Sequence, residues 1–187
     1  MLYTHPIWGL GGSPTETMTI DATERDAYAG PGLAGGHGDW PAVAAWARDL
    51  AARIADEQPA QHVAVFVPDD DGFGLRLAAQ VWGAGEDTGA VVVGVWSVPL
   101  EGSVCGRVYR TGLAALCADV GLDPDYRPFP GGRTRSSLTV PVGPPADVVA
   151  VINLEAPWVA AFSIRDYERM TDRAAAAFAS FPGRPGD

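Results

Sequence analysis

The chain has no lysine. All 13 of its basic residues are arginine, set against 23 aspartates and glutamates, for a formal net charge of -10. No single physical demand clears every lysine from a surface, so we read the absence as coding bias in the source genome. The acidic balance disfavours nucleic acid, because phosphate contacts need clustered cations. The nearest thing to a basic patch is Arg127, Arg133 and Arg135, enough to meet one anionic group and too little for a duplex. Cysteine is scarce too: Cys105 and Cys117 are too few for a disulfide framework. Long apolar runs are absent; none approaches the roughly 20 residues of a membrane helix. The opening MLYTHPIWGLGG lacks both the basic start and the unbroken apolar core of a signal peptide. These absences lead us to expect a cytoplasmic protein in a reducing compartment, binding neither membrane nor nucleic acid.

What is present is enough apolar chain for a core. Hydrophobic residues make up 47% of 187 positions and charged residues 19%, which reads as one globular domain. Residues 1–38 are rich in Gly, Thr, Pro and Asp without periodicity, and are expected to form a flexible N-terminal extension. The domain itself is expected over 39–182, followed by a short tail, 183–187.

Asp39 is positioned to cap a helix with Pro41 in its first turn. Val43, Trp46, Ala47, Leu50, Ala51 and Ile54 follow at spacings of three and four, with Pro59 as the stop. HVAVFVP (62–68), the turn DDDG and residues 72–83 read as a hairpin, and 91–99 as a third strand containing Trp96. Asp69, Asp70 and Asp71 sit at a Gly-containing turn and read as solvated rather than metal-ligating. EGSVCGRVYRTG (101–112) reads as a helix with Ser103 or Gly102 at its cap and Gly112 past its end. A short strand near 114–118, a Pro/Gly/Asp-rich loop, strands at 136–142 and 147–155, and a helix capped by Ser163 complete the chain. Hairpin-linked strands with few crossovers give an α+β fold with an antiparallel sheet.

Four segments in this order resemble the GAF domain family over about 39–181. They are EGSVCGRVYRTG, the loop Asp119-Val120 with Asp123-Pro124-Asp125-Tyr126, GGRTRSSLTVPV, and VVAVINLEAPWVAAFS followed by Asp166. The resemblance implies a sheet of about six antiparallel strands flanked by helices on both faces. It also implies a ligand pocket between the sheet and the region starting at EGSVCG. A small-molecule sensor or regulatory module follows as the expected function, signalling through a partner or a dimer made by the terminal helices.

The family's better-known ligands fit poorly. The cyclic-nucleotide signature keeps Asn153, Phe162 and Asp166 but has Leu154 for its Lys and Tyr167 for its Glu. Bilin attachment wants an Asp-Ile-Pro signature where this chain has Asp119-Val120. Haem wants a pocket histidine, and His5, His37 and His62 read as arm or strand-end residues. The ligand is therefore an unidentified small molecule and the cofactor unknown. Candidate ligand-binding residues are Trp82, Trp96, Cys105, Asp119, Tyr126, Arg133, Arg135 and Ser136, with no metal site. The alternative is an enzyme. One branch reduces free methionine sulfoxide with thiols and carries Val-Cys-Gly at this helix, as here at Val104-Cys105-Gly106. Cys105 near a helix N-terminus and Cys117 as resolving thiol would be its catalytic pair. That branch places its essential cysteine after Phe-Pro-Gly, and here Phe129-Pro130-Gly131 leads into GRTRSSLTVPV without one.

Overall fold

The computed structural model describes residues 5–6, 17–18, 39–57, 62–82, 96–128 and 133–182. Strands β1 (His5–Pro6) and β2 (Thr17–Met18) pair antiparallel within the N-terminal stretch. The rest of the expected arm lies outside the described residues, as do Pro59, residues 83–95, 129–132 and the 183–187 tail.

Helix α1 (Trp40–Glu57) starts where Asp39 accepts from Ala42 N–H through Oδ1 and from Val43 N–H through its carbonyl. Its buried residues are the expected stripe plus Ala44. The sheet follows: β3 (His62–Pro68), β4 (Gly74–Trp82), β5 (Ser97–Pro99), β6 (Ala115–Cys117), β7 (Ser136–Val142) and β8 (Ala150–Ala156). Strand order is β5-β4-β3-β8-β7-β6 and every neighbouring pair is antiparallel. Two meanders, β3–β4–β5 and β6–β7–β8, are joined at the centre by the β3–β8 pair. Of the third strand expected at 91–99, residues 91–95 lie outside the described residues and Ser97–Pro99 form β5. Trp96 precedes β5, although its carbonyl still accepts from Leu77 N–H at 2.8 Å.

Strand alternation divides the core in two. Val63, Val65, Val67, Leu138, Val140, Ile152 and Leu154 point to one face, where α1 and α3 (Ile164–Ala179) cover them. Ala64, Phe66, Leu75, Leu77, Val98 and Val151 point to the other, against α2 (Val104–Thr111). Helices thus lie on both faces of a six-stranded antiparallel sheet, an α+β architecture. Among the described residues, no helix is long and apolar enough to cross a membrane.

Helix ends are set by sequence. Ser163 and Asp166 form a complete capping box, the serine Oγ accepting from Asp166 N–H and the carboxylate from Ser163 N–H. Ser163→Ala is expected to cost about 1 kcal/mol in urea unfolding, with no change in the far-ultraviolet dichroism of the folded state. Gly112 ends α2 at φ 63°, a left-handed position that favours glycine.

Candidate functional site

The cavity forms between the α2 face of the sheet, the start of α2 and the loop 123–127. Its walls include Phe66 and Asn153 from the sheet, Trp96 and Val98 before and in β5, Ser103, Val104 and Cys105 from the start of α2, and Tyr126 and Arg127 from the loop. The free space is about 20 Å³, room for one water rather than a ligand of amino-acid size.

Its floor is polar, and cross-strand register explains why. Directly opposed residues on antiparallel strands share a face. Cys117 opposes Ser137, Ser137 opposes Glu155, Glu155 opposes His62, and His62 opposes Trp82, so five residues run across the sheet in one row. The next row on the same face contains Thr139, Asn153, Ala64 and Gln80. His62 and Glu155 are only 2% and 5% exposed. His62 Nδ1 lies 3.4 Å from Glu155 Oε2, and since a carboxylate only accepts, that nitrogen carries the proton. His62 Nε2 faces Gln80 Oε1 at 3.0 Å, and the imidazole stacks on Trp82 with centroids 4.1 Å apart. Thr134 Oγ1 donates to Glu155 Oε2 at 2.8 Å, and Asn153 Nδ2 donates to Oε1 at 3.1 Å. Thr139 in turn donates to Asn153 Oδ1.

This network fixes the ionisation of Glu155. Burial alone would raise its pKa; the hydrogen bond and charge of His62, with Thr134 and Asn153, outweigh burial and hold it below the ordinary carboxylate range. Tyr126 is pushed up to about 12, first by burial and then by Glu155. One buried polar atom on this floor is left over. Ser137, 2% exposed, has no hydrogen-bond partner for its Oγ among the described residues.

Of the residues expected at the site, the structure brings Trp96, Cys105 and Tyr126 into the cavity wall. Trp82 lies behind His62 instead of lining the space. Ser136 faces away, donating to Trp158 carbonyl and accepting from Ala161 N–H, because its strand position is one residue out of phase with Ser137. Asp119 caps a short 3-10 turn, Val120–Leu122, and pairs with Arg135 at 3.3 Å. Arg133 is not among the lining residues. The carboxylates Asp123 and Asp125 are taken by Arg107 at 2.6 and 2.5 Å, which ties the loop carrying Tyr126 and Arg127 to α2.

Two expectations need correction. His62 does open β3, as expected of a strand-end residue, but it is buried and stands in the cavity wall instead of outside the pocket. The helix N-terminus does not activate Cys105 either. The residue is 7% exposed, and burial followed by the field of Glu155 drives its pKa strongly upward, so the thiol stays protonated at neutral pH. Cys117, half-buried, is likewise raised by burial and then by Asp123. The polar floor went unread in the sequence, although it has a signal. His62, Gln80, Ser137, Thr139, Asn153 and Glu155 interrupt largely apolar strands, within each strand on the same face, while Arg76 and Ser136 stand on the opposite one.

The architecture is a GAF-like α+β fold. No protein-family model matches the chain, and no curated protein matches it. Solved structures do. A type II free methionine-R-sulfoxide reductase from Thermoplasma acidophilum aligns at TM-score 0.61 and 19% identity, over 76% of this chain and 96% of that one. The GAF domain of a phosphoenolpyruvate-protein phosphotransferase from Coxiella burnetii aligns at 0.61 and 16%, over 83% and 86%. The GAF-B domain of DevS from Mycobacterium smegmatis aligns at 0.57 and 19%, over 74% and 91%. At these identities the likeness is one of fold.

Proposed function

We propose that this protein is a small-molecule-binding sensor or regulatory module of the GAF type, acting through a partner protein or a dimer. One observation carries the reading. A buried ion pair is a poor way to stabilise a sheet, since apolar side chains of similar volume usually do as well or better. Yet six polar side chains converge on the cavity face, and the hydroxyl of Ser137 is left open to a further partner. Tyr126 and Arg127, both in the cavity wall, ride on one loop. Native mass spectrometry of the purified chain tests the reading, with a retained small molecule expected. A chain that retains nothing, and whose melting temperature no small-molecule panel raises, sinks it.

The second reading is a thiol-dependent reductase of free methionine sulfoxide. In its favour, Cys105 lines the cavity and Cys117 stands on the same cross-strand row as Ser137. Against it, both thiols have raised pKa values. The expected result is no reduction of free methionine-R-sulfoxide with dithiothreitol above a Cys105→Ser control. Turnover abolished by that substitution would establish the enzyme instead.

A further inference from the structure

We infer that the outer edge of β6 is a dimer interface, where two copies of the chain pair antiparallel and each seats Trp158 in a groove beside α3 of the other. The inference gives the dimer of the preceding proposal a surface, and it holds or fails independently of what the cavity binds.

Strand order ends at β6, and among the described residues no strand pairs with its outer side. An open edge presents unpaired backbone N–H and C=O groups and is ordinarily guarded by a charge or a proline. Residues 113–118, LAALCA, carry neither. Both ends of this edge are apolar instead. At its start Leu113, 68% exposed, is one wall of a groove of about 360 Å³. Tyr167 and Phe178 of α3, Val140 of β7 and Pro144 help to form the groove, and no charged residue lines it. At its end stand Trp158 and Val159, 53% and 46% exposed. Their turn is pinned to the sheet: Trp158 carbonyl accepts from Ser136 Oγ at 2.8 Å, and Ala160 N–H donates to Ala118 carbonyl at 2.7 Å. Ala160 takes a left-handed φ of 52°, a position that a side chain disfavours and that the two bonds maintain.

Symmetry makes the occupant a second copy. Two identical edges paired antiparallel are related by a two-fold axis normal to the sheet, which keeps the helices of both copies on one side. Groove and turn lie on that common side. Val140 and Ser136 share the α3 face of β7, four residues and so about 13 Å apart along the strand. Leu116, opposite Leu138 on the same face and partly exposed, lies between them. Antiparallel pairing therefore brings the Trp158 end of one copy to the groove end of the other, twice, and the two Leu116 side chains meet near the axis. An extended segment of another protein would cover the edge without matching both ends. Charge permits the match. A net charge of -10 repels a second copy at long range, but the edge itself is uncharged and Asp119 beside it is paired with Arg135. Salt screens the long-range repulsion and leaves the apolar contact in place.

The test is sedimentation equilibrium of the full chain at low and high sodium chloride. A monomer–dimer equilibrium is expected, tighter at high salt. Trp158→Ala is expected to weaken it about thirtyfold, the loss of one interface anchor. Leu116→Lys puts a charge against itself at the axis and should leave a monomer. Phe73→Ala, still more exposed but at the β3–β4 turn, leaves the equilibrium unchanged. Circular dichroism verifies that the variants are folded. Leu116→Cys, in a chain that also carries Cys105→Ser and Cys117→Ser, is expected to give a disulfide-linked dimer on air oxidation, and Phe73→Cys none. A chain that stays monomeric up to millimolar concentration at both salts overturns the inference. So does a dimer that neither Trp158→Ala nor Leu116→Lys weakens; if Ala52→Arg on the exposed face of α1 breaks it instead, the interface belongs to the helices. Either result leaves the small-molecule reading to its own test, ligand retention.

Discussion

Gly106→Ala is expected to destabilise the domain by about 3 kcal/mol and to lower its melting temperature by roughly 10 °C, measured by differential scanning calorimetry. Gly106 is where α2 meets the chain entering it. A Cβ there would sit 2.6 Å from both the carbonyl carbon and Cα of Leu100, and closer still to the Leu100 oxygen. These are backbone atoms, so no side-chain rotation relieves the clash, and α2 or the 97–100 segment must shift. That segment includes β5, and Leu100 N–H is bonded to Phe73 carbonyl, so the displacement reaches the β3–β4 hairpin. Gly121→Ala is the control. Its Cβ would meet only Asp119 Oδ1, at 3.3 Å, and the expected change is below about 0.5 kcal/mol. Equal losses in the two variants would mean that the tight approach of α2 is not what the glycine serves.

His62→Ala is expected to cost about 3–5 kcal/mol at pH 7 by urea unfolding, and to reverse the response to mild acid. In the native protein the Glu155 carboxyl lies below its ordinary value of 4.5. A depressed carboxyl contributes stability that is complete above the unfolded pKa and lost as pH falls through the folded one. Stability should therefore drop on acidification below about pH 4.5. Removing His62 deletes the donor and charge that outweigh burial, so desolvation lifts the carboxyl above its unfolded value. The ionised form then penalises the fold at neutral pH, and the variant should regain part of its loss on acidification from pH 7 to pH 5. Parallel stability–pH curves for the two proteins would show that His62 does not hold Glu155 ionised. Glu155→Gln in the His62→Ala background separates the charge from the cavity left by the ring: it should recover the electrostatic part and leave the packing deficit.

The elements were legible because their causes are local. The α1 stripe from Val43 to Ile54, the β3 boundaries, the Ser163–Asp166 box and the Gly112 cap each follow from a periodicity or from a side chain reaching its own backbone. The site was less legible. Trp96, Cys105 and Tyr126 fall in the cavity wall, but Ser136 was chosen where Ser137 belongs, and His62 was set aside. Adjacent serines at a strand start carry no local mark of which one faces inward. That is decided by the β7–β8 register, which places Ser136 opposite Ala156 and Ser137 opposite Glu155.

The sequence by itself determined the class of fold and the helix that roofs the cavity, since propensity, capping and alternation act within a few residues. Only the tertiary structure decided the chemistry of the floor. Residues 62, 80, 137, 153 and 155 meet because two hairpins, β3–β4 and β7–β8, and a central β3–β8 pairing set their register across the sheet. The same assembly makes Cys105 a buried thiol: the helix terminus that favours a thiolate is local, while the desolvation and the Glu155 carboxylate that raise its pKa are set by the packing of the sheet.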